Sequence, residues 1–218
     1  ISEKIAELSV NRFNEWHLPF NTTNSKQAVL AFQGDVYSGL DAISLTEDKL
    51  IYTQTHLRII SGLYGLLRPL DLMQPYRLEM GLKLKTNKGN DLYRFWDEQI
   101  TNALNSLLEK ENEPVLINLA SNEYFKSIQK ENLDCRLITP EFKDFKNGKY
   151  KMISFFAKKA RGMMVRFAID NKIKEPEKLM DFDYNGYSYN DELSKSDNWV
   201  FSRGWTNKKY FPNIKFRF

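Results

Sequence analysis

Apolar and polar positions repeat with a helical period most clearly between residues 153 and 169. At about 100° per residue, Phe156, Ala160, Met163, Met164 and Phe167 share one side, and Lys158, Lys159, Arg161 and Arg166 share the other. This spacing predicts an amphipathic helix with a cationic face, and Gly162 falls in the middle of that face. Glycine inside a helix costs about 1 kcal/mol relative to alanine. Close approach would offset the cost: with no Cβ in the way, a phosphate reaches the backbone between the basic side chains. A solvated face is the plainer reading of such a charge run.

Elsewhere the pattern is shorter. Residues 1–16 place Ile5, Leu8, Phe13 and Trp16 on a helix face. The apolar run 28–32, between Gln27 and Gln33, is expected as a buried strand. It leads into residues 34–40, where Gly34 and Gly39 around Asp35 and Tyr37 predict a loop lining a cleft, or a connecting turn. Thr46, Glu47 and Asp48 open a helix expected to run through Ile60, with its acids at the positive end of the dipole. His56 within it reads as a filler rather than a ligand.

Residues 57–71 read as a helix, a Gly62-Leu63-Tyr64-Gly65 hairpin and a second segment. That order is similar to the helix-hairpin-helix of DNA repair proteins, whose hairpin amides hold phosphate oxygens without reading base sequence. An ordinary corner is the alternative, because glycine closes so many helices and Pro69 and Pro75 interrupt the second segment. Residues 73–81 are extended or turning, and 87–90 form a turn. Residues 91–110 read as one helix with Leu92, Phe95, Trp96, Ile100, Leu104 and Leu107 on a common face.

Residues 114–119 are a buried strand running into a helix capped by Ser121, a junction suited to an anion. Asn118, Ser121, Glu123 and Lys126 gather there, or else serve a capped structural turn. Residues 135–139 and 149–154 read as strands, with Asn147-Gly148 the hairpin signal between them. Glu175-Pro176 begins a short helix, 181–198 is an acidic, Tyr/Asn-rich loop, and 201–218 reads as a weakly ordered basic tail.

Composition narrows the classes. The 218 residues suit one large domain or two small ones, and 42% hydrophobic content with 15 Phe, 11 Tyr and 4 Trp fills a core. One cysteine, Cys135, excludes an intrachain disulfide framework and a cysteine-rich zinc site, and it suits a reducing cytoplasm. No apolar run approaches a membrane span. The chain opens on Ile1 directly into a helix pattern, so we expect it to lack an N-terminal segment. Net charge is +4, yet residues 143–178 carry eleven Lys/Arg against four Asp/Glu. The remainder is therefore net acidic apart from the tail. No P-loop, GxGxxG, HExxH or GxSxG is present. The two histidines, His17 and His56, are too isolated for a metal site, so no metal or cofactor is expected.

Four segments, 31–40, 57–81, 117–126 and 157–166, resemble in order the YaaA family of bacterial peroxide-stress proteins. The resemblance runs over about residues 1–203 and implies an α+β (mixed α/β) single domain. That domain would hold a mixed sheet flanked by helices, a helix-hairpin-helix-like element matching Gly62–Gly65, and a positively charged cleft. It further implies DNA binding without strong sequence preference and protection against peroxide linked to lowered free iron. Family members begin with an extra strand carrying a Ser-Pro-Ala-Lys segment that this sequence lacks, and the tail 204–218 is longer and more basic than the family leads us to expect.

Two functions stand as expectations. In the first, duplex, bubble or junction DNA rests its phosphates on the amides of Gly62, Leu63, Tyr64 and Gly65, on Arg68, and on Lys158, Lys159, Arg161, Gly162 and Arg166. Phe155 or Tyr64 stacks on an exposed base. In the second, an enzyme takes a nucleotide or small phosphorylated substrate among Asp35, Tyr37, Asn118, Ser121, Glu123 and Lys126, with Arg77 and Glu79 joining them. Iron sequestration by carboxylates is a third, without a Glu/His spacing to carry it. Neither a membrane nor an obligate protein partner is expected.

Overall fold

Asn147 and Gly148 both adopt positive φ, 56° and 77°, the conformation that a tight hairpin between right-twisted strands demands. They join the longest strand of the molecule to the next, and the main sheet is built around that strand. The computed structural model describes residues 3–204 of the chain. In order the elements are α1 (Glu3–Glu15), β1 (Lys26–Gln27), α2 (Ala28–Ala31), α3 (Asp35–Leu40), α4 (Glu47–His56), β2 (Ile59–Ser61), β3 (Gly65–Leu67) and β4 (Leu72–Met73). Then come α5 (Leu92–Trp96), α6 (Gln99–Leu108), β5 (Val115–Ile117), α7 (Asn122–Phe125), β6 (Arg136–Lys146), β7 (Lys149–Lys151), α8 (Ser154–Asp170), β8 (Ser188–Tyr189) and β9 (Asn198–Arg203). This is the mixed α/β architecture expected.

The main sheet runs β5-β6-β9-β8, with β5, β6 and β9 parallel, β8 antiparallel to β9, and β7 folded back antiparallel on the end of β6. Alternate residues of β6 (Ile138, Pro140, Phe142, Asp144) are buried, as a half-covered strand requires. Two small antiparallel ladders, β1–β4 and β2–β3, stand apart from it. No helix of the described residues is long and apolar enough to cross a membrane.

Helix α8 lies between two of the molecule's cores. Its Ala157, Ala160, Met164 and Phe167 pack on Ile138, Phe142, Trp199 and Phe201 of the sheet and on Leu179, Phe182 and Tyr187. Its Ile169 belongs to a second cluster with Ala28, Val29, Leu40, Ile59, Leu67 and Met73. A third cluster holds Met80, Leu92, Ile100, Leu104 and Ile128. Where α3 crosses α8, the two backbones touch. A Cβ on Gly39 would lie 2.2 Å from the Lys159 carbonyl oxygen, and one on Gly162 1.8 Å from that of Val36. Gly162 is therefore buried under α3, and the expected approach of a phosphate there is overturned.

Other expectations shift for local reasons. The run 28–32 is helix rather than strand: the Ala28 and Val29 amides donate to Asp71 and Pro69, and Phe32 N–H closes a helical turn on Ala28. So short an apolar run has no period to separate the two. Residues 35–40 form α3 rather than a loop, launched from Gly34 at φ 115°. Helix α4 stops at His56 because Ile59 and Ile60 pair with Leu67 and Leu66. The single helix 91–110 is two, broken at Asp97 with φ 45°. Ser154 starts α8 instead of ending a strand. The segment from Phe201 begins as the last residues of β9, with Phe201 fully buried; residues 205–218 of the expected tail lie outside the described residues.

Propensity alone would make Gly162→Ala stabilising. The backbone contact makes it the reverse: the helices must part, and stability should fall by about 3 kcal/mol, with a melting temperature roughly 6–12 °C lower. A melting temperature equal to or above that of the unaltered chain would contradict this packing.

Candidate functional site

The cations of α8 divide into two groups along the helix. Arg166 is consumed by the fold: Nε bonds both carboxylate oxygens of Asp170 at 2.9 Å, and Nη1 bonds Ser44 Oγ at 2.6 Å and the Asp41 carbonyl at 3.1 Å. Asp170 also receives Lys49 Nζ at 2.8 Å. Burial opposes ionisation of Asp170, but the hydrogen bonds from Lys49 and Arg166 outweigh it and hold its carboxyl below the usual range. Arg161 is half-buried, and burial lowers its pKa while nearby Glu141 acts in the opposite direction. Glu141 in turn holds Lys143 at 2.9 Å. Lys158 and Lys159, by contrast, are exposed and have no ion pair among the described residues.

Their neighbours extend that free surface. Lys146 and Lys149 stand exposed at the β6–β7 turn, Lys151 is half-exposed at the end of β7, and none is ion-paired among the described residues. Between Asp144 and Asp170 the sequence holds no acid. Asp144 is itself neutralised by Arg203, whose guanidinium lies between the rings of Phe156 and Tyr187 at 4.5 and 4.4 Å. Phe155 and Met152 are 57% and 48% exposed among these lysines.

The Gly62–Gly65 segment is a different object from the one expected. It turns a β-hairpin between β2 and β3, with no helix after it. Gly62 is buried: a Cβ there would sit 2.3 Å from the Leu78 carbonyl, and its own carbonyl accepts Trp96 Nε1–H at 2.9 Å. Gly65, at φ 71°, is covered by the Trp96 ring. The Tyr64 amide donates to Ser61 Oγ at 2.9 Å. Leu63 is half-buried and Arg68 is clamped to Asp71 at 2.9 Å. The expected helix-hairpin-helix is a β-hairpin instead, its two glycines covered by Leu78 and Trp96 and its Tyr64 amide held by Ser61.

The residues expected to serve an enzyme only partly converge. Asp35 opens α3, Asn118 accepts the Ala120 amide, Ser121 caps α7 through the Tyr124 amide, and Lys126 lies over the Tyr93 ring at 4.8 Å. Tyr37 and Glu123 instead meet residues that no motif marks in the sequence. Phe32 stacks on Tyr37 at 5.3 Å and meets Tyr76 edge-on at 6.2 Å. Tyr76 Oη and Ser61 Oγ share a hydrogen bond at 2.7 Å. Glu123 accepts the Gly81 amide at 2.9 Å, and Arg77 pairs with Glu79 at 3.0 Å. The Tyr124 phenol is close enough to those of Tyr37 and Tyr76 for their ionisations to interact. The usable signal was adjacency: Tyr76 precedes Arg77, and Tyr124 comes directly after Glu123.

The sequence profile described as Peroxide stress protein YaaA matches residues 1–193. The chain belongs to the YaaA family of peroxide stress proteins. It is 58% identical over 203 residues to a UPF0246 protein of Alteromonas mediterranea, covering 93% of this chain and 78% of that one. Identity to UPF0246 proteins of Colwellia psychrerythraea and Neisseria gonorrhoeae is 55% over 203 residues in each, again 93% of this chain, and 79% and 78% of theirs. In this YaaA-family chain, then, the free lysines of 146–159 and the tyrosine cluster are two separate chemical surfaces.

Burial first, partly offset by Ser61, pushes Tyr76 up to about 12, and burial also raises Tyr37 and Tyr124. Raised phenols stabilise the fold fully below the unfolded value of 10.0, and that contribution is lost as pH climbs through the folded values. Thermal stability should therefore hold up to about pH 10 as far as these groups are concerned and fall beyond it, and the fall should be shallower in Tyr76→Phe. An identical alkaline profile in that variant would contradict the assignment.

Proposed function

We propose that this protein serves peroxide defence by binding DNA through the acid-free surface of 146–159. The observation that carries the reading is that five lysines of the β6–β7 turn and the first turns of α8 (Lys146, Lys149, Lys151, Lys158 and Lys159) have no ion pair among the described residues. A surface that neutralises phosphates gains affinity by releasing condensed counterions and does not read bases. Duplex, bubble and junction DNA all offer it phosphates, and Phe155 offers a stacking face where a base is unpaired.

Counterion release also suggests how binding protects. Ferrous ions held in the ionic atmosphere of DNA convert peroxide into radicals beside the bases. Lysines occupying those phosphates displace the cations from the site. Direct reduction of peroxide by Cys135 is the weaker route, because burial raises its thiol pKa and leaves little thiolate to react. The enzyme alternative, acting on a nucleotide or small phosphorylated substrate, draws mainly on the tyrosine cluster, since Asn118 holds the Ala120 amide, Ser121 caps α7 and Lys126 lies over Tyr93.

The log–log salt dependence of duplex affinity should have a slope of about −4 to −5 if all five lysines engage. Lys158→Glu with Lys159→Glu should weaken binding at least tenfold and reduce the slope by about 2. Arg166→Ala should lower stability and leave the slope unaltered. A flat salt dependence, or full affinity in the double lysine variant, would remove this reading.

A further inference from the structure

The tyrosine cluster has more hydrogen-bond capacity than the protein uses. The Tyr37 hydroxyl has no hydrogen-bond partner among the described residues, although most of its side chain is covered. No fully enclosed polar side-chain atom lacks a partner among those residues, so this hydroxyl is reached from outside. The Tyr124 hydroxyl likewise has no hydrogen-bond acceptor among the described residues. The Tyr76 hydroxyl is bonded to Ser61 Oγ at 2.7 Å, with either oxygen able to donate.

Two carboxylates lie close enough to the Tyr124 phenol for their charges to act on it. Glu123 uses one carboxylate oxygen on the Gly81 amide, and Glu79 uses one on Arg77 Nε. The second oxygen of each remains available. Gly81 permits this arrangement, since a Cβ there would meet Glu123 Oε1 at 3.1 Å. Phe32, Tyr37 and Tyr76 supply aromatic walls.

We infer that this cluster binds a nucleobase. A phosphate or other anion would lie beside two carboxylates with one arginine between them, and a bare cation would face hydroxyl protons. A neutral planar heterocycle meets both demands: a carbonyl accepts from the phenols while adjacent N–H groups donate to a carboxylate, and its faces stack on the rings. Guanine, with O6 beside N1–H and the 2-amino group, fits the donor and acceptor set best. The assignment is independent of the lysine surface, because a free nucleoside has no phosphate to engage it.

The test is calorimetric titration of the full chain with guanosine, adenosine and inorganic phosphate, repeated on Tyr37→Phe, Tyr124→Phe and Glu123→Gln. Each tyrosine variant keeps its ring and should keep its melting temperature. Guanosine should bind, with affinity about three- to tenfold weaker in each tyrosine variant, as loss of one hydrogen bond implies. Adenosine, which has no carbonyl, should bind several-fold more weakly, and phosphate should not compete. If Tyr37→Phe melts early, Tyr124→Phe and Glu123→Gln carry the comparison. Absence of guanosine binding up to about 10 mM, or undiminished binding in the tyrosine and glutamate variants that fold, overturns the proposal.

A second arm separates the sources of the base. Preference for a duplex with one bulged guanine over a perfect duplex, lost in Tyr37→Phe, identifies a base held in DNA. Equal affinity for both duplexes with guanosine binding retained identifies a free nucleoside. Loss of duplex affinity in Lys158→Glu with Lys159→Glu bears on the lysine surface alone and is read separately.

Discussion

The contact between the backbones of α3 and α8 is the constraint on which the other features depend. Gly39 and Gly162 each face a carbonyl oxygen of the opposite helix at a distance no Cβ allows. That closeness seats α8 between the sheet core and the cluster around Ile59 and Met73. It also brings the C-terminal end of α3 beside Arg166, so that this arginine, Asp170 and Lys49 become an internal network rather than a ligand surface. The opposite end of the helix is left to solvent, and there Lys158 and Lys159 join the lysines of the β6–β7 turn.

Several parts of this arrangement were legible in the sequence because their causes are local. Asn147-Gly148 demands a tight hairpin and makes one. Ser121 caps α7 as its position before the helix implies, the strand before it forms as β5, and the period of 153–169 produces α8. The rest depended on tertiary partners that no local pattern carries. Gly162 looked like an opening on a cationic face because the helix period does not reveal that a second helix covers it. Gly62 and Gly65 looked like a phosphate-binding hairpin because two glycines beside a turn have the same spacing whether Trp96 and Leu78 cover them or solvent does. Arg166 and Lys159 were indistinguishable as cations until the fold brought Asp170 to one of them alone. Tyr76 and Tyr124 carry no signal as single tyrosines; their meaning comes from lying near enough to Tyr37 for their ionisations to interact.

The family membership sets a peroxide-stress role, and the two surfaces give it chemical content. A lysine surface free of acids suits a polyanion whose sequence does not matter. A cluster of phenols, carboxylates and aromatic rings suits a small neutral ring. Their separation means that either can fail without the other.

The most direct test of the central claim, that DNA meets the free lysines and not the glycine hairpin, is a lysine-reactivity footprint. The chain is acylated under limiting reagent with and without duplex DNA, and modification is read lysine by lysine by mass spectrometry. Lys146, Lys149, Lys151, Lys158 and Lys159 should lose reactivity together on DNA binding, while the exposed Lys83 and Lys85 keep theirs. Unchanged reactivity at 146–159 in a chain that has bound DNA, or protection at Lys83 and Lys85 instead, would contradict the account.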